Sequence, residues 1–162
     1  MNPLIRTILT AAMLGLALSV AAANEDNNTK SWLFAQTASE FISDGSTLTL
    51  PYEREIFAFT DRANRAHVYL NAHEFQSLWN VGEDNFTTNP PNAVLTWVAD
   101  GDILEAEIEL VSAQLRDSGR SITYQVRTED GQMLPIRGHQ VSLFIDSERG
   151  LENAFLTASQ AL

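Results

Sequence analysis

The chain contains no cysteine. That excludes disulfides, thiolate-ligated zinc, a cysteine nucleophile and a cysteine-borne lipid anchor. Histidine is nearly as scarce, with only His67, His73 and His139. The first two are six apart and only His73 falls in a helical pattern, so the pair four apart that lets one helix grip zinc is missing. No G-x-S-x-G segment occurs, and no pattern joins a serine to a histidine and an aspartate. Bases are few, with 10 Lys and Arg against 21 Asp and Glu. Without a basic patch there is nothing to neutralise phosphates, which argues against nucleic acid and against anionic lipid surfaces. Internal repeats and low-complexity blocks are also missing.

One long apolar run is present. Ile8 to Val20 follows Arg6 and precedes Ala21, Ala22 and Ala23. A basic start, an apolar middle too short to span a bilayer and a small-residue end form a secretory signal, so residues 1–23 are expected to be cleaved. The expected location is periplasmic or secreted, with no membrane insertion after cleavage. All 21 acids and nine of the ten bases lie after residue 23, a net charge of −12 for the remainder. That balance suits solubility, cation attraction or a basic partner.

Residues 24–30, NEDNNTK, are polar and read as a flexible start. Residues 31–147 read as one β-rich domain. Trp32 to Ile42 is an extended apolar-rich run, Asp44-Gly45 a turn, and Thr47 to Leu50 a strand that Pro51 ends or marks as an edge. Ile56 to Thr60 and His67 to Leu70 are short strands. Asn71 to Trp79 is the one convincing helix. Asn71 caps it, Glu74 completes a capping box, and Phe75, Leu78 and Trp79 share a face. Ala93–Ala99 and Ile103–Val111 flank Asp100-Gly101, a favoured hairpin turn. With Ile122–Val126 they make an antiparallel meander, expected to pair Leu110 with Ile122 and Glu105 with Arg127. On the middle strand Leu104, Ala106, Ile108 and Leu110 point inward; Glu105, Glu107 and Glu109 form the wet side. Val141–Ile145 is a further strand. Residues 148–162 form a tail with helical spacing at Leu151, Phe155 and Leu162 that is equally compatible with loose chain. The whole is a mainly β fold, an antiparallel β-sandwich or small barrel with one short docked helix.

Two stretches are candidate ligand sites. Thr60 to His67, TDRANRAH, concentrates Asp61, Arg62, Arg65 and His67. Arginine forks suit an anion or carboxylate. The competing reading is a structural turn in which Asp61 accepts backbone N–H groups. Asn89 and Asn92 bracket the rigid pair Pro90-Pro91, which is either a preorganised ligand loop or a stiff connection into the meander. Asp100-Gly101-Asp102 and Glu83-Asp84-Asn85 have weak calcium appeal and lack the EF-hand spacing. Abundant acids alone do not make a carboxylate pair for glycoside hydrolysis.

The turn Phe59-Thr60-Asp61-Arg62-Ala63-Asn64-Arg65, the helix segment Phe75-Gln76-Ser77-Leu78-Trp79 and the stretch from Asn85-Phe86 through Leu95 resemble a group of small exported bacterial proteins of uncharacterised function. The resemblance spans residues 32 to 145, and its specific part is the helix with the PPNA segment. Members of that group often carry proline after the first arginine, where this chain has Ala63. The resemblance implies an exported single domain and carries no catalytic role.

The expected function is an exported, noncatalytic binding or interaction domain with an unidentified protein or small-molecule ligand and no cofactor. A small periplasmic hydrolase using Asp61, His67 or other acids is one alternative. A cation-binding structural envelope protein is the other.

Overall fold

A computed structural model describes residues 31–60, 65–83 and 85–147. The expected signal segment, the polar start, the C-terminal tail, Asp61, Arg62 and Asp84 lie outside the described residues.

Eight strands, one α-helix and one 3-10 turn follow the order β1 (Trp32–Ser43), β2 (Thr47–Pro51), β3 (Ile56–Thr60), β4 (His67–Leu70), α1 (Ala72–Ser77), β5 (Asn92–Ala99), β6 (Asp102–Arg116), the 3-10 turn (Asp117–Gly119), β7 (Ser121–Thr128) and β8 (Arg137–Ser147). The sheet runs β2-β7-β6-β5-β8-β1-β3-β4, all neighbours antiparallel, and β2 also pairs with β1. That last pairing closes six strands into a barrel. β3 and β4 extend from it as a flap.

β1 organises this. One edge of β1 pairs with β8 from Trp32 to Ile42. The other edge is divided: Trp32–Ala35 pair with β3, while Ile42 and Ser43 pair with Thr49 and Leu48 of β2. Between them, the Ser39 N–H donates to the Glu53 carboxylate at 2.9 Å, and the Ser39 hydroxyl donates to the same group. A side chain from the β2–β3 connection thus satisfies a backbone donor that no strand reaches.

The inward face of β1 changes parity. Trp32, Phe34, Gln36 and Ala38 are buried, then Phe41 and Ser43. β8 changes with it, at Gln140, whose φ is 52° and which sits at the bulge against β5. Bulges bend strands and aid closure. At that bend Gly138 is required by space: a Cβ there would meet Phe41 Cε1 at 2.3 Å and Trp97 Cγ at 2.9 Å. Phe41 and Trp97 meet edge to face above it, with ring centroids 5.7 Å apart.

The opposite end is plugged by α1 and the loop after it. Asn71 accepts from the N–H groups of His73 and Glu74 at 3.0 Å each, and the Glu74 carboxylate accepts from the Asn71 N–H at 2.8 Å, the capping box expected. This end-capping matters in a helix so short, which only docking can hold. Phe75, Leu78, Trp79 and Phe86 are all buried. Their rings form a chain from Phe34 through Phe75 and Trp79 to Phe86 and Tyr124, at centroid distances of 4.9 to 6.0 Å. Mid-barrel, the Tyr124 hydroxyl donates to Gln36 Oε1 at 2.5 Å, and burial pushes its pKa well above the usual phenol value. Asn85 builds the loop into the PPNA segment by accepting from the N–H groups of Thr87 and Thr88. Pro91 is buried, and its carbonyl accepts from the Leu110 N–H at 2.9 Å.

The meander forms, with two corrections. Leu110 pairs with Val126 rather than Ile122, and Glu109 rather than Glu105 lies opposite Arg127, forming an ion pair. A bulge between Leu110 and Ser112 shifts the register and lets the 15-residue β6 bend round the barrel. Both registers keep apolar faces together, so alternation alone did not separate them. Leu104 is 43% exposed rather than core, because the β5–β6 hairpin runs past the barrel end. Its turn has positive φ at Asp100 and Gly101, the two-residue geometry that matches strand twist.

Two outcomes test this account. Gly138→Ala should lose about 1–3 kcal/mol by overpacking, read from denaturant unfolding. Asp44 in the β1–β2 turn accepts from the N–H groups of Ser46 and Thr47 at 2.9 and 2.7 Å, and these bonds hold its carboxyl at about 2 against an ordinary 3.8. A depressed folded-state value stabilises above the unfolded pKa and is lost as pH falls through the folded one. The melting midpoint of the parent should therefore fall between about pH 4 and pH 2 more steeply than that of Asp44→Ala.

Candidate binding face

A strand buries one side chain in two, and in β3 the choice is unusual. Ile56 and Ala58 face the core, fully buried, while the larger Phe57 and Phe59 face outward. β4 repeats this: His67 and Tyr69 face out, and Tyr69 is 58% exposed. On β8, Phe144 faces out and is 51% exposed.

Register turns these into rows. Phe57 pairs with Tyr69 and with Ala35, Ala35 with Phe144, Phe144 with Val94, and Val94 with Glu107. One step along, His67 pairs with Phe59, Phe59 with Leu33, Leu33 with Asp146, Asp146 with Asn92, Asn92 with Glu109, and Glu109 with Arg127. The second row crosses seven strands, about 29 Å along the curved surface at about 4.8 Å per strand. One end is aromatic. Phe57 stacks on Phe59 at 5.4 Å with planes 22° apart, and lies 5.1 Å from the Tyr69 ring and 6.0 Å from the His67 ring.

The other end is acidic and concave. A hollow of about 390 Å³ is lined by Leu33, Val94 and Phe144 with Asn92, Glu107, Glu129 and Asp146 at its polar side. No basic residue lines it among the described residues. Glu129 lies across from Glu107, its N–H donating to the Glu107 carbonyl at 3.1 Å. Like charges on neighbouring strands destabilise a sheet. The carboxylates border an apolar floor of Leu33, Val94 and Phe144, and among the described residues no three His, Asp or Glu side chains come together to hold a metal ion.

The structure separates the residues that the sequence singled out. His67 and Asn92 share the outer face and one row, with Phe59, Leu33 and Asp146 between them. Asn89 is exposed in the loop before β5. Arg65 is exposed with φ 41°, in the approach to β4. The turn it belongs to is closed by Thr60, which is buried: its N–H donates to the Ala66 carbonyl at 3.0 Å and its hydroxyl accepts from the Ala66 N–H at 2.9 Å. The histidines are dispersed. His67 is on β4 among aromatics, His73 is on α1 beside Gly119, and His139 on β8 is 4.0 Å from Glu40. Tyr69, Phe144, Glu129 and Asp146 do not stand out in the sequence as site residues, and the row Glu105, Glu107 and Glu109, which could bind a divalent cation, is more simply the wet side of a strand. The available signal was the IFAFT strand, apolar on both faces yet next to polar turns.

A second apolar area lies at the far barrel end. Ile42, Ile103, Leu104, Met133 and Ile136 are exposed, and a hollow of about 240 Å³ lies beside Trp97, Leu104 and Met133. Leu134 there is buried in the core, and the exposed Met133 lies against Gly45 of the β1–β2 turn.

No protein-family model matches the chain, and no curated protein and no solved structure matches it either.

If the outer aromatics serve a ligand and not the fold, Tyr69→Thr and Phe144→Thr should each stay within about 0.5 kcal/mol of the parent. Phe75→Ala, in the barrel plug, should cost about 3–5 kcal/mol. Chemical denaturation of the three variants checks both.

Proposed function

We propose that the chain is an exported, noncatalytic binding domain whose working surface is the outer face of β4, β3, β1, β8 and β5. The observation that carries this is the inverted burial of β3 and β4, where Phe57, Phe59 and Tyr69 stand outward beside the smaller inward Ile56, Ala58 and Leu70. Folding alone gains more from the reverse arrangement, since burying a large apolar side chain is worth about 1.5–3 kcal/mol. Contiguous exposed apolar surface rimmed by polar groups is the mark of an interaction site. Aromatic rings suit it because they present large area with little rotamer entropy to lose.

The N-terminal pattern of residues 1–23 and the resemblance to small exported bacterial proteins support the exported location. A hydrolase reading has less support: among the described residues the three histidines stand apart, and none is hydrogen-bonded through its ring to a serine or an aspartate. A cation-binding envelope role also lacks a cluster among the described residues.

A photoreactive benzoylphenylalanine at position 69 or 144, introduced in exporting cells, tests the surface. The expected result is a discrete adduct at each, identified by mass spectrometry, and none from the outward-facing position 125 on β7. Adducts from position 103 at the far barrel end, with none from 69 and 144, would assign binding to the other surface and overturn the proposal.

A further inference from the structure

We infer that the acidic hollow beside Phe144 receives a basic segment of a partner polypeptide, with an arginine side chain laid on the Phe144 ring. This rests on the binding-face reading above and names the chemistry of its ligand.

The chemistry follows from charge and shape. Glu107, Glu129 and Asp146 line one hollow, with no base among its described lining residues. Among the described residues of this row the one arginine, Arg127, is paired with Glu109. Its described lining thus carries three carboxylates next to a half-exposed ring. A metal ion needs its carboxylates gathered around one point, and these are not. A guanidinium needs what is present: a ring face to lie on and carboxylates at its edge to take its fork of N–H donors. Asn92, between Asp146 and Glu109 in the row, adds a side-chain carbonyl that can accept a further N–H.

A peptide supplies the rest of the contact. The aromatic end of the face, Phe57, Phe59 and Tyr69, continues from the hollow across β1 to β4. A lone small cation would leave that surface uncovered. An extended segment crossing the strands covers both ends, its apolar side chains on the aromatics and its arginine in the hollow. The net charge of the chain after residue 23, −12, draws such a partner from a distance. The repulsion between Glu107 and Glu129 is a cost to the free fold that a bound cation relieves.

Fluorescein-labelled hexa-arginine, titrated into the protein produced from its full-length gene at about 150 mM salt, is the direct test, since at that ionic strength only close charges act strongly. Anisotropy should show saturable binding. Phe144→Thr should weaken it by about tenfold, as should the pair Glu107→Gln with Glu129→Gln. The pair Glu55→Gln with Asp100→Asn removes the same charge elsewhere and should change it less than about twofold. The Glu107→Gln, Glu129→Gln protein should melt at or above the parent midpoint, which separates lost binding from lost folding. Equal weakening by the two charge pairs would mean general attraction and overturn the site. Insensitivity to Phe144→Thr would overturn the stacked arginine. Photo-adducts at position 144 with no hexa-arginine binding, whether to a neutral protein or to a glycan, would overturn the basic partner while leaving the binding face standing. Neither adducts nor binding would overturn both.

Discussion

The barrel depends on one strand being shared. β1 is paired along its whole length on one edge, and its other edge is divided between the flap and the closing strand β2. The closing contact to β2 is only Ile42 with Thr49 and Ser43 with Leu48. The short turn held by the Asp44 carboxylate sets it, and Ser43, buried, donates its N–H to the Ile136 carbonyl. Closure removes the two open edges that a six-stranded sheet would otherwise expose. The divided edge also makes the flap, because the half of β1 that β2 does not reach is free to pair with β3. The geometry that closes the barrel is therefore the same geometry that carries Phe57, Phe59, His67 and Tyr69 onto its outside.

The two barrel ends are finished differently, and this leaves the outer wall for recognition. Rings from α1 and the following loop fill one end; Phe41, Trp97 and the side-chain-free Gly138 fill the other. With Phe34, Gln36 and Tyr124 stacked between, the interior is occupied by the protein's own side chains. Recognition on a barrel wall has a physical advantage. Outward residues of neighbouring strands are held at fixed spacing by backbone hydrogen bonds, so a row of side chains presented there is preorganised.

Much of this was legible in local sequence. Alternation located all eight strands, because a period of two with turn residues between is a local signal, but β6 runs on to Arg116 and β8 starts at Arg137, beyond the stretches expected. The Asn71–Glu74 capping box and the Asp100-Gly101 turn were equally plain, since each is decided by residues adjacent in the chain. The register of β6 on β7 was not. A shift of four keeps every apolar side chain on the same face, and the bulge after Leu110 that fixes the choice is a response to curvature. The candidate site was legible only in its outliers. His67 and Asn92 stood out as polar residues in distinctive stretches, and they do lie on the outer face. Phe144 and the acids around it read as ordinary members of alternating strands, because what distinguishes them is which strands lie beside them.

The sequence by itself determined the class of the fold and its elements: the strands, the capped helix, the turns and the strong negative charge, all properties of short stretches or of composition. Only the tertiary structure decided that the sheet closes, that β3 and β4 leave it, and that residues 33, 57, 69, 94, 107, 129, 144 and 146 share one surface. Side-chain period fixes the face a residue takes on its own strand. The neighbours it meets on that face depend on strand order and register, which are set by packing among residues far apart in the chain.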